Sequence, residues 1–149
     1  MEICGFQSIT NLVNGTPITD FDDSDDAFKV EQLEDGIMYK VGADGRLVAM
    51  RSANRSGKFT YKLMQNSPSA AFLQNLYNRQ MTPGFFTPTY VAMYDAERDD
   101  KAEGSIGCII KPAPIIRGAG INSSEWEIVV ERVDMALGTP IFRAFAGLG

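Results

Sequence analysis

A chain of 149 residues, 44% hydrophobic and 22% charged, is long enough to bury a sizeable core as one domain, 1–149, without a metal or disulfide. A formal net charge of −5 excludes a protein that wraps nucleic acid by neutralising phosphates, although an acidic surface suits a bore that nucleic acid must slide past. The absence of histidine removes Ser-His and Cys-His dyads, histidine-ligated metals and the commonest general acid–base.

Residues 1–19 are polar and turn-rich and read as an arm, with a short strand over 9–13 and a turn at Asn14-Gly15-Thr16-Pro17. Residues 20–26, DFDDSDD, read as an exposed acidic loop. Asp20, Asp22, Ser24, Asp26 and Glu31 fall at positions 1, 3, 5, 7 and 12 of an EF-hand count. However, Asp25 stands sixth, where glycine makes the turn, and the flanks are a loop and a strand, so a solvated loop is the better reading. The alternation of Phe28, Val30 and Gln32 against Lys29, Glu31 and Leu33 predicts a strand over 27–33. A short strand over 37–41 runs into the tight hairpin turn Gly42-Ala43-Asp44-Gly45. Residues 46–52 alternate again, and with the strand over 58–65 they are expected to form one long hairpin.

Phe59, Tyr61 and Leu63 against Lys58, Thr60 and Lys62 mark a half-buried strand, with aromatics and lysines on opposite faces. That split argues for a core face and a solvent face rather than a platform for single-stranded nucleic acid. The pattern turns helical at Ser67-Pro68-Ser69: Ser67 suits the N-cap, Pro68 the first helical position, and Phe72, Leu73, Leu76 and Tyr77 share a face. Pro83-Gly84 lies beyond the helix end. A strand over 89–94, a charged loop over 95–101 and a strand over 105–111 follow, stopped by Pro112 and Pro114. Residues 113–124 read as irregular, and Gly118-Ala119-Gly120 is too short for a phosphate-cradling fingerprint. The strongest strand spans 125–135, with Trp126 a core anchor beside Ile128 and Val130. The sum is a mainly β fold, an antiparallel sandwich or barrel with one flanking α-helix.

Cys4 and Cys108 have no CxxC partner and read as free thiols, Cys108 as a small buried hydrophobe. Glu2 stands where a secretory leader needs a basic region, and no run approaches the ~18 apolar residues of a membrane span, so no membrane partner is expected. The apolar ends, Cys4, Phe6 and Ile9 on one side and Ile141, Phe142, Phe145 and Leu148 on the other, flank a domain that reads as complete without them. Three readings stay open for them: satellite core, disorder, or docking on a neighbouring subunit.

Several stretches, in order along the chain, resemble one family: DSDDAF at 23–28, VGADGRL at 41–47, NRSGKFTYKLMQNSPSAAFLQNL at 54–76, GCIIKPAPIIRG at 107–118 and EWEIVVERVDMALG at 125–138. The family is the tail tube (inner tube) proteins of contractile-tailed bacteriophages. The resemblance implies a sandwich-like barrel with one flanking helix, assembled into hexameric rings that stack into a hollow tube inside a contractile sheath, with DNA passing through the lumen on ejection. That fold is shared with the rings of the type VI secretion apparatus. The implied partners are copies of the chain itself, the tail sheath protein, baseplate or initiator and tail terminator proteins, and the tape measure protein and DNA in the lumen without specific binding. No cofactor is implied. The implied location is the virion tail tube, after assembly in the host cytoplasm.

The resemblance assigns no individual residue. On the residues alone, Glu31 and Asp44 are candidates for the lumen, on polar faces of the hairpin strands. Asp20, Asp22, Asp23, Asp25 and Asp26, with Phe6, Ile141, Phe142, Phe145 and Leu148, are candidates for ring stacking or intersubunit contact. The alternatives are a monomeric β-barrel binding a small ligand or Ca2+ and, more remotely, an enzyme with paired carboxylates.

Overall fold

A computed structural model describes residues 9–23, 25–65, 67–84, 88–120 and 122–138. The alternating run that includes Phe59, Tyr61 and Leu63 forms β6 (Gly57–Met64), whose three large inward side chains are fully buried. β6 lies beside β9 (Ser123–Ala136), with Phe59 opposite Ile128, Tyr61 opposite Trp126 and Leu63 opposite Ser124. These two strands are neighbours in an antiparallel sheet ordered β2-β1-β7-β8-β9-β6-β3. Its other members are β1 (Ile9–Val13), β2 (Thr16–Pro17), β3 (Phe28–Gln32), β7 (Thr89–Asp95) and β8 (Asp100–Ile109). The edge strands β2 and β3 do not pair with each other, so the sheet is open rather than a closed barrel. The one helix among the described residues, the 13-residue α1 (Pro68–Gln80), is too short to cover a sheet of seven strands. Yet Val13, Val91, Ile128 and Val130 are wholly buried in one cluster. The sheet must therefore curl over its own inner face, giving the sandwich-like form that the alternation implied.

α1 begins as its sequence predicts: the Ser67 hydroxyl accepts a hydrogen bond from the Ala70 backbone N–H, and Pro68 occupies the first turn. Leu73 is fully buried, and Phe72, Leu76 and Tyr77 pack against the core. Three expectations change. The long hairpin of 46–52 with 58–65 does not form: β5 (Leu47–Arg51) pairs with β4 (Ile37–Val41) in a separate two-stranded sheet, and β6 pairs with β3 and β9. Nearest-neighbour strands pair most readily when the turn between them is tight, and the 42–45 turn is tighter than 52–56.

The charged loop shrinks to residues 96–99, and β8 starts at Asp100. The Asp95 carboxylate closes that turn by accepting from the backbone of Glu97 and Arg98, and the first half of β8 turns only small residues, Ala102 and Gly104, toward the core. A Cβ on Gly104 would lie 2.7 Å from Val130 Cγ1, so size rather than hydropathy governs that segment and hides it from an apolar-periodicity reading. Cys108 is a free thiol but only half-buried. Cys4 lies outside the described residues.

The sheet has two chemically different ends. Ile9, the 96–99 turn and Ala136 lie at one, since Ile9 pairs with Asp95, Asp95 with Asp100 and Lys101 with Ala136. The β4–β5 segment leaves toward the same end, because Gln32 and Val130 flank Gly57 and Arg55 bridges to Arg132. The acidic loop, the start of α1 and the start of β9 lie at the opposite end, where Phe21 bridges to Leu63 and Met64 pairs with Ser123.

Candidate assembly interface

The β4–β5 hairpin is built by its turn. Gly42 N–H donates to the Arg46 carbonyl at 2.8 Å, Gly45 takes φ +84°, and the Asp44 carboxylate accepts from the Arg46 N–H at 3.1 Å. A second closure at the base joins Ser52 N–H to the Gly36 carbonyl at 2.9 Å. One face pairs Met38 with Met50 and Lys40 with Val48; the other pairs Tyr39 with Ala49 and Val41 with Leu47. Both faces are thus apolar, and both are open. Ile37, Met38, Tyr39, Val41, Leu47, Val48 and Met50 are all between 53% and 73% exposed. The first face encloses a hollow of about 560 Å³ rimmed by Lys40, Asp44 and Arg46.

An isolated two-stranded hairpin is marginal in water, and a contiguous apolar patch of this kind on a soluble protein marks a surface that becomes covered. The sequence carried the signal: in IMYKV at 37–41 odd and even positions are both apolar, so no solvent face exists. Reading that stretch simply as a short strand missed these residues.

The carboxylates singled out from sequence do not converge. Asp44 is at the hairpin tip, exposed and engaged with its own turn. Glu31 is on β3, 3.5 Å from Lys58 and 3.7 Å from Lys29, and Lys58 is also 3.5 Å from Glu127. In the acidic loop, Asp26 accepts from Lys62 Nζ at 2.9 Å. That bond and the lysine charge hold the Asp26 carboxyl below the usual carboxylate range and raise the Lys62 ammonium in turn. Asp22 N–H donates to the Lys62 carbonyl, while Asp20, Asp23 and Asp25 are exposed. Glu31, twelfth in the EF-hand count, faces lysines on the sheet. Among the described residues no three acidic or cysteine side chains gather as metal ligands. Phe6, Ile141, Phe142, Phe145 and Leu148 lie outside the described residues.

A second outward feature escaped the sequence reading. β8 carries a bulge against β7, where Thr89 pairs with Gly107 but Val91 with Gly104. Ile106 sits in it at φ +55°, with its side chain 57% exposed. A β-branched residue in the left-handed region is strained by about 1–3 kcal/mol.

The model of the bacteriophage PhiTE tail tube protein family matches residues 3–138. The chain belongs to that family. Tail tube proteins are structural components of phage tails. Solved structures share the fold. The tube-terminating cap of the anti-feeding prophage matches with a TM-score of 0.61 at 9% identity, over 93% of both chains. A sheath/tube terminator of the extracellular contractile injection system PVC, in the extended state, gives 0.59 at 13% identity over 91% of this chain and 98% of that one. A chain of the PVC sheath–tube complex in the extended state gives 0.61 at 12% identity over 91% and 92%. At such identities the likeness is one of fold. No curated protein sequence matches.

Proposed function

We propose that this tail tube protein polymerises into stacked hexameric rings that form the hollow conduit for DNA ejection inside a contractile sheath. The observation that carries the reading is the β4–β5 hairpin, whose apolar faces have no cover among the described residues. A heterologous contact that closes by rotation makes a ring, and one that does not close makes a filament. Association with sheath, initiator, terminator and tape measure proteins follows from that role, as does assembly in the host cytoplasm. The acidic balance suits a bore that repels DNA, with Glu31 and Asp44 the proposed lumen carboxylates and the acidic loop and both apolar termini the proposed intersubunit contacts. The described chain enters the termini from one end of the sheet, which supports a contact reaching toward the next copy.

The test is negative-stain electron microscopy and light scattering of concentrated protein with and without tail initiator components. Rings or tubes are expected from the parent. Tyr39→Asp with Leu47→Lys is expected to melt like the parent yet stay monomeric. A parent that stays monomeric in the presence of initiator, or a double variant that polymerises normally, refutes the proposal.

A further inference from the structure

The acidic balance of the chain is broken in one place. Residues 64–94 and 104–124 contain no aspartate or glutamate, although the chain has 19, and they carry Arg79, Lys111 and Arg117. The fold brings these two acid-free stretches together. The Gln80 side chain brackets Ile109, its Nε2 donating to the carbonyl at 3.2 Å and its Oε1 accepting from the N–H at 3.0 Å. That pair of bonds fastens the end of α1 to the end of β8, and Arg79 and Lys111 flank the junction. Near the start of α1, Arg117 Nη1 donates to Gln65 Oε1 and to the Ile116 carbonyl, which holds the guanidinium in place. Elsewhere cations meet carboxylates: Lys58, Lys62, Arg55, Arg98 and Arg132 each lie within 3.6 Å of one. Among the described residues Arg79, Lys111 and Arg117 form no ion pair.

The same face is apolar. Between the first turns of α1 and residues 113–117 lies a cleft of about 410 Å³, walled by Ala70, Ala71, Pro114 and Ile115, with Arg117 its one charged lining residue. Ile115 is 82% exposed. Trp126 also lines the cleft, but its indole N–H is buried out of reach, so the ring offers apolar surface alone. A hollow of alanine, proline and isoleucine takes an apolar side chain. A guanidinium already held on one side takes a carboxylate next to that side chain in a charge-assisted bond. Nucleic acid fits poorly, because three cations on a chain of net charge −5 neutralise few phosphates. The chain's own acidic loop, DFDDSDD, fits poorly as well: Phe21, its one large apolar residue, packs against the core.

We propose that the face formed by α1 and residues 110–117 is a docking surface for an acidic segment of a different protein, which seats an apolar side chain in the cleft and sets a neighbouring carboxylate on Arg117. The surface is separate from the β4–β5 hairpin, so this contact and the self-association reading stand or fall independently. Trp126 is the sole tryptophan, so its emission reports on the cleft.

The experiment titrates dilute full-length protein into labelled peptides and follows fluorescence anisotropy and Trp126 emission. The probe is a short amphipathic helical peptide with leucine along one face and glutamate flanking it. The comparators are the same peptide with lysine for glutamate, the peptide DFDDSDD and a single-stranded oligonucleotide. The leucine–glutamate peptide should bind saturably and shift Trp126 emission. Arg117→Glu should weaken it about tenfold or more, the equivalent of one hydrogen bond to a charged group, and Ile115→Asp should weaken it likewise. Lys40→Glu, on the hairpin, should leave binding unchanged. Arg117 and Ile115 are exposed, so both variants should melt with the parent and associate as it does. No binding of the leucine–glutamate peptide, equal binding of the lysine peptide, tighter binding of DFDDSDD or the oligonucleotide, or indifference to Arg117→Glu overturns the docking surface. Loss of self-association in Arg117→Glu overturns it too, by assigning the face to contact between copies.

Discussion

Replacing Tyr61 with phenylalanine should stabilise this protein. Tyr61 is fully buried on β6, its ring packed 5.5 Å from Phe28 and 6.2 Å from Phe21 by centroid, and its hydroxyl has no hydrogen-bond partner. A hydroxyl taken out of water without a new bond costs about 1–3 kcal/mol in proteins, whereas the ring contacts survive the substitution. The small void left by one oxygen offsets part of the gain, leaving about 1–2 kcal/mol. For a chain of this size that is a rise of roughly 2–8 °C in melting temperature.

The same residue sets an alkaline limit. Burial pushes the Tyr61 phenol above its ordinary value of 10.0, so the native state holds a proton that the unfolded chain releases. The stabilisation is fully present below pH 10 and is lost as pH rises beyond it. Relative to Tyr61→Phe, the parent should lose about 1 kcal/mol between pH 10 and 11 and about 1.4 kcal/mol per further unit. Calorimetry or urea titration on dilute monomer isolates the effect, since association would raise apparent stability by mass action. A Tyr61→Phe protein that is less stable than the parent at pH 7, or that falls in parallel with it above pH 10, would refute the account of an unpaired buried phenol.

Other outcomes follow from the same geometry. Gly57→Ala places a Cβ 2.5 Å from the Cβ and Cγ1 of buried Val133, and urea titration should show destabilisation by about 1–3 kcal/mol or more. Gly45→Ala meets no neighbour but forces φ +84° on a residue with a side chain; the hairpin should weaken by about 1 kcal/mol, read as a higher critical concentration for assembly with little change in monomer melting. Asp26→Asn removes the Lys62 pair on an exposed, solvent-screened surface and should lower stability only slightly, a difference that disappears as pH falls below 3.8 and through the depressed carboxyl value, measurable by acid titration of stability. Removing residues 139–149 should leave melting of the domain intact and weaken polymerisation; collapse of the fold would assign those apolar residues to the core.

Local chemistry wrote much of the fold into the sequence. The N-cap at Ser67, the turn at 42–45 and the alternations in β6 and β9 each depend on a few neighbouring residues, so their side chains declare them. The acidic loop was equally legible as a loop. Partner choice was not, because strand order depends on residues far apart: β5 was assigned to β6, while β6 in fact lies between β3 and β9. The start of β8 was hidden because its inward positions are glycine and alanine, sized to the Val130 and Phe59 side chains that press on Gly104.

The candidate interface divides in the same way. Apolar residues at 37–50 were visible, yet only the tertiary structure left them uncovered among the described residues, since the described core closed without them. Trp126 was read as an anchor, and it is one, but its unpaired N–H and its place beside Gln65 and α1 emerge only when three separate segments meet. Burial and hydrogen bonding belong to the assembled surroundings of a side chain, so composition and periodicity set which residues are apolar, and packing alone decided which of them the molecule keeps for itself and which it leaves to a neighbour.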